Sequence, residues 1–136
     1  MERRSDMTQA QGSFTVQSWD ESTYEELAGE AKLNRAHVTF GYTGDLQGQS
    51  TSDSLMCYRD NGTAVYTGLE RITGQLGGRS GSFVVLASGA YADGEAKTTW
   101  QVVAGSGTGD LAGLRGQGSA AAASGPGTYT LQYDLG

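Results

Sequence analysis

Glu70 is the side chain of this sequence with the clearest capacity for chemistry, because the pattern around it buries a carboxyl among apolar neighbours. In the run from Thr63 to Leu76, residues Ala64, Tyr66, Gly68, Glu70 and Ile72 share one face of an extended chain. A carboxyl held between a tyrosine and an isoleucine loses hydration, which raises its pKa. Such a group can act as general acid or base near neutral pH, or donate a hydrogen bond to a carbonyl. The other reading is structural: a glutamate bonded to a buried tyrosine or arginine that holds the sheet together. Tyr66 and Tyr58 are the candidate catalytic partners of Glu70. Phe40, Tyr42, Ser54, Met56, Trp100, Tyr129 and Tyr133 are the candidate substrate-binding wall. Most of them offer broad apolar surface with polar tips, which suits the orienting of a conjugated or polyketide-like guest.

Other chemistries are poorly supplied. One histidine and one cysteine make no metal-ligand set, so no metal site is expected. His37 falls on the outward face of its segment and reads as a surface or interface residue. Cys57 has no partner for an internal disulfide and reads as a buried, inert thiol. No G-x-S-x-G, Walker segment or metalloprotease helix occurs. Gly107-x-Gly109-x-x-Ala112 fits a dinucleotide fingerprint, but Gly113 and Gly116 break the helix that must follow. No cofactor is expected. The net charge of -6 argues against nucleic acid or an anionic membrane as partner. Met1 to Gln11 has charge without an apolar stretch, so neither a signal peptide nor a membrane span is expected, and the cytoplasm is the expected compartment.

The elements that must position these residues are strands. A chain of 136 residues with 22 glycines, one proline and no sustained helical repeat reads as one all-β domain. Residues 1–12 are expected to be a disordered N-terminal segment, and 13–136 the domain. Period-two alternation places strands at Ser13–Trp19, Lys32–Thr43, Gln47–Arg59, Thr63–Leu76, Arg79–Ser88, Ala96–Ala104, Gln117–Ala123 and Thr128–Leu135. In the first, Phe14, Val16 and Ser18 face one way and Thr15, Gln17 and Trp19 the other. Asp20 to Glu30 reads as an acidic loop, with Ser22-x-x-Glu25 capping one helical turn. Asp60-Asn61-Gly62 is a hairpin signal, because Asn-Gly readily takes positive φ. Gly105 to Gly118 reads as a glycine-rich crossover with one helical turn near Asp110. Eight sequential strands on short turns can close on themselves and remove their edges. An eight-stranded antiparallel up-and-down β-barrel with little helix is the expected fold, and its interior is either filled or holds one small ligand.

Two resemblances support the same fold. The crossover with Arg115-Gly116 resembles the glycine-rich segment of allene oxide cyclases and dirigent proteins, which are small antiparallel barrels. More broadly, Ser18-Trp19-Asp20-Glu21, Leu55-Met56-Cys57-Tyr58-Arg59, Gly68-Leu69-Glu70-Arg71, Gly77 to Phe83, Gly105 to Gly116 and Tyr129 to Leu135 occur in one order. Together they resemble the bacterial barrel family called domain of unknown function 3224, over roughly Ser13 to Leu135. That resemblance implies an allene oxide cyclase-like barrel and self-association as a homodimer or other homo-oligomer; it implies no activity. Where relatives carry bulkier residues, this chain has Ser52, Asp53, Ser54 and the run Ala120 to Gly125. Small side chains at inward positions enlarge a lumen.

The expectation is therefore a cofactor-free cyclase or isomerase of secondary metabolism, acting on a hydrophobic small molecule held in the barrel by a pericyclic or oxa-cyclising step. A lipocalin-like barrel that binds a small ligand without chemistry is the alternative, and a filled scaffold barrel is a third.

Overall fold

A computed structural model describes residues 7–136. Eight strands follow one another: β1 (Thr8–Glu26), β2 (Lys32–Gly44), β3 (Leu46–Tyr58), β4 (Ala64–Leu76), β5 (Arg79–Ala92), β6 (Glu95–Val102), β7 (Arg115–Ala122) and β8 (Gly127–Asp134). Each pairs antiparallel with the next, and β8 pairs with β1, so the sheet is a closed barrel. The only helical element among the described residues is one 3-10 turn, Gly109–Leu111. No helix among them is long and apolar enough to cross a membrane.

The strand reading departs from the structure mainly in β1. This strand starts at Thr8, inside the segment expected to be disordered, where Thr8 to Phe14 pair with β8 and Ala10 is buried. Residues 1–6 of that segment lie outside the described residues. It then runs on to Glu26, through the stretch read as an acidic loop with a helical turn. Two register shifts, between Val16 and Ser18 and between Thr23 and Glu25, break its alternation. A bulge inserts an extra residue and reverses the facing of every residue beyond it. For that reason the stretch does not look like a strand in sequence, although pairing with β2 holds it as one.

The two ends of the barrel differ. At the lower end the Val103–Leu114 crossover folds against the half of β5 that β6 leaves unpaired. Val103 N–H donates to the Val84 carbonyl (2.9 Å), Thr108 N–H to the Ser82 carbonyl (2.9 Å), and Ser106 Oγ accepts from Val84 N–H (3.0 Å). The crossover thus covers an open edge and drives Leu111 and Leu114 under the barrel, where they pack with Leu46, Ile72, Leu76, Phe83 and Leu131. Burying each such leucine contributes about 1.5–3 kcal/mol. Among the described residues the upper end has no such plug. There β1 outruns β8: beyond Phe14 it pairs with β2 alone, leaving residues 15–26 as an overhang above the mouth.

Candidate functional site

A row of small residues crosses the inner wall and makes the upper half hollow. Ala36, Ser54, Gly68 and Ala87 are directly paired across β2, β3, β4 and β5, and the row continues to Trp100 on β6. A Cβ at Gly68 would run into the Asp53 carbonyl and the Ser54 side chain, so the closeness of β3 and β4 there requires glycine. Eight strands leave room for one small ligand when inward side chains are short. The resulting cavity is about 370 Å³ and opens at the upper end. Ala120, Ala121 and Ala122 of β7 widen it, as the small-residue run suggested.

Phe40, Tyr42, Ser54, Met56, Trp100, Tyr66 and Tyr58 all line this cavity, so most of the residues singled out in sequence do meet. Tyr129 and Tyr133 do not. The Tyr129 ring stacks beneath Trp100 (centroids 6.0 Å apart, 24° between planes), and its hydroxyl serves the backbone. It accepts from Leu46 N–H (2.9 Å) and faces the Thr43 and Leu46 carbonyls at 2.8 and 3.1 Å. Tyr133 lies deeper, in the filled lower core. Alternation assigns a face but not a depth, so it could not separate these two from the lining.

The floor of the cavity holds the buried carboxyl. Glu70 points inward, is 4% exposed, and lies below the lining rather than within it. Tyr42 Oη and Ser50 Oγ both donate to its Oε2, the latter at 2.6 Å. Loss of hydration raises the carboxyl above its ordinary value, and the Ser50 and Tyr42 hydrogen bonds offset only part of that rise. Tyr42 is raised well above the usual phenol range, first by burial and then by the Glu70 charge beside it. Burial disfavours the charged form of each group, and a charge on Glu70 further disfavours one on Tyr42.

Tyr58 and Tyr66 do not join Glu70. Tyr58 stands at the mouth, where its hydroxyl donates to Glu21 Oε2 (2.8 Å). Asn34 Nδ2 donates to the same oxygen at 2.5 Å, and Trp19 Nε1 donates to Oε1 at 2.7 Å. Burial works to raise Glu21, but these three donors and the Lys32 charge outweigh it and hold the carboxyl below its usual range. Tyr58 in turn is pushed up to about 12, by desolvation and then by its bond to Glu21. Tyr66 lies on the same strand as Glu70 but nearer the mouth, and is paired with Thr98 of β6, hydroxyl to hydroxyl at 2.7 Å.

Sequence reasoning missed Trp19, Phe14, Ala36, Val38 and Ser52 as lining residues. Four of these carried a signal, since Phe14 shares parity with Val16, Ala36 and Val38 with Phe40, and Ser52 with Ser54. Trp19 carried none, because the bulge before Ser18 turns it from the outer face to the inner. His37 sits on the outer wall, 2.8 Å from Asp53. Among the described residues no group of three or more histidine, cysteine, aspartate or glutamate side chains could hold a metal.

A family model described as protein of unknown function (DUF3224) matches residues 10–133. The chain belongs to this family. A crystal structure of a DUF3224 protein with unknown function, from Shewanella oneidensis MR-1, superposes with a TM-score of 0.84. The two sequences are 29% identical, and the alignment covers 96% of this chain and 98% of the other. No curated protein matches the chain. The family description carries no activity.

Proposed function

We propose that the upper cup binds one compact, uncharged, apolar molecule. The observation that carries this reading is the cavity of about 370 Å³, walled by aromatic and aliphatic side chains and open at one end. Its size lies within the range of small-molecule pockets, and the row of small residues removes the side chains that would otherwise fill it. Cyclisation or isomerisation of the guest is a second reading, favoured by the buried, hydrogen-bonded Tyr42–Glu70 pair under the floor. It also draws on the resemblance to allene oxide cyclases. The walls would hold a flexible guest in its reactive conformer, and the pair would lend hydrogen-bonding capacity beneath a developing negative charge.

The test uses N-phenylnaphthylamine, a neutral probe whose fluorescence rises in apolar surroundings. It should bind saturably at one per chain. Ala120→Phe places a ring in the cup and should weaken binding at least about tenfold in a protein that still folds, at a stability cost of at most about 1–3 kcal/mol. Absence of binding, or binding indifferent to Ala120→Phe, refutes the cup as the site. Turnover of any guest found this way should collapse in Glu70→Gln with binding nearly kept; equal turnover removes Glu70 from the chemistry, and no turnover by the wild type leaves the protein a carrier.

A further inference from the structure

The cup is apolar, yet two hydroxyls in it have no hydrogen-bond partner among the described residues. Below the mouth, the polar lining groups are mostly satisfied by one another. Tyr42 donates to Glu70, and Tyr66 pairs with Thr98. Ser52 and Ser54 line the same cavity from β3. Neither hydroxyl has a hydrogen-bond partner among the described residues, and no buried side-chain N or O atom there is both sealed from solvent and unpaired. Both hydroxyls are therefore open to the cavity. Ser52 is 6% exposed, and its strand pairs it directly with Glu70.

We propose that the Ser52–Ser54 edge of the floor recognises an oxygen acceptor on the guest, so that the ligand class is an apolar body ending in a neutral carbonyl. This rests on the cup being the binding site and adds which end of the guest goes down. A hydroxyl open to the empty cup can bond water; an apolar guest that displaces the water would leave it unpaired, and a guest oxygen that accepts from it removes that cost. Serine can donate or accept, but the Trp100 indole N–H can only donate. It is the other lining group below the mouth without a partner among the described residues. An acceptor on the guest suits all three. A carboxylate suits the cup poorly, because no cation among the described residues lines it and Glu70 lies beneath the floor. Pairing across β3 and β4 also places the guest's oxygen beside the Tyr42–Glu70 pair, where any proton-dependent step would need it.

The experiment compares two probes of nearly equal shape: propionyl-dimethylaminonaphthalene, which ends in a ketone, and the propyl compound in which a methylene replaces the carbonyl. The wild-type protein should bind the ketone about three- to tenfold more tightly relative to the propyl compound than the Ser52→Ala, Ser54→Ala double variant does. Ser52→Thr keeps a hydroxyl and should retain at least part of the preference. Equal affinity ratios in wild type and double variant overturn the assignment of the serines while leaving the cup intact. Failure of both probes to bind the wild type removes the cup reading, and this assignment falls with it.

Discussion

Replacing Glu70 by glutamine should alter how stability depends on pH. Glutamine keeps the shape, and its carbonyl oxygen can accept from Tyr42 and Ser50 as the carboxyl does. Burial raises Glu70 above its reference value of 4.5. At pH below that value both folded and unfolded chains hold the proton, and the favourable contribution of the buried neutral carboxyl is fully present. As pH rises, the unfolded chain releases its proton first, so the folded state binds more protons and stability is lost until the folded group titrates too. For one proton the slope is at most about 1.4 kcal/mol per pH unit. The variant lacks this loss, so the difference in unfolding free energy, variant minus wild type, should climb with pH across that window. The amide nitrogen placed where Oε1 stood shifts the whole difference curve but not its slope. Glu21 and Asp134, whose values are lowered, titrate in both proteins and cancel. Urea unfolding followed by tryptophan fluorescence, at intervals from about pH 4 to about pH 9, measures the curve. A flat or falling difference would show that the carboxyl is not held in a desolvated place, and the account of the floor would be wrong.

Two further substitutions separate the plug and the frame from the cup. Leu111→Ala removes a side chain that is 1% exposed beneath the barrel and should cost about 2–5 kcal/mol, or roughly a 10 °C fall in melting temperature. Hydrogen exchange at the Ser82 and Val84 amides should quicken with it, and unchanged protection there would contradict the edge-covering role of the crossover. Tyr129→Phe strands the buried Leu46 N–H and should cost about 1–3 kcal/mol in urea unfolding. Probe affinity should stay within about twofold, since Tyr129 does not line the cavity; a large loss would place it in the site after all.

Parity within a strand is a local property of the chain, and it was legible. The alternation from Tyr66 to Ile72 put Glu70 inside, and that from Ala36 to Tyr42 put His37 outside, because successive side chains of any extended segment point opposite ways. The hairpin glycines and the short turns made a closed meander the economical solution. Ser52, Ser54 and the alanines of β7 signalled room inside it.

Depth and partnership were not legible, because they belong to the closed sheet rather than to any strand. The stagger between β1 and β8 sets how far each inward residue lies from the mouth, which is why Tyr58 meets Glu21 at the rim while Tyr42 takes the Glu70 carboxyl. The β1 bulges reverse parity at sites that no residue type announces, and one of them brings Trp19 over the opening. The sequence by itself therefore determined a barrel with a carboxyl turned inward. Only closure of that barrel decided that the carboxyl lies under a cup, which hydroxyls hold it, and which have no partner among the described residues.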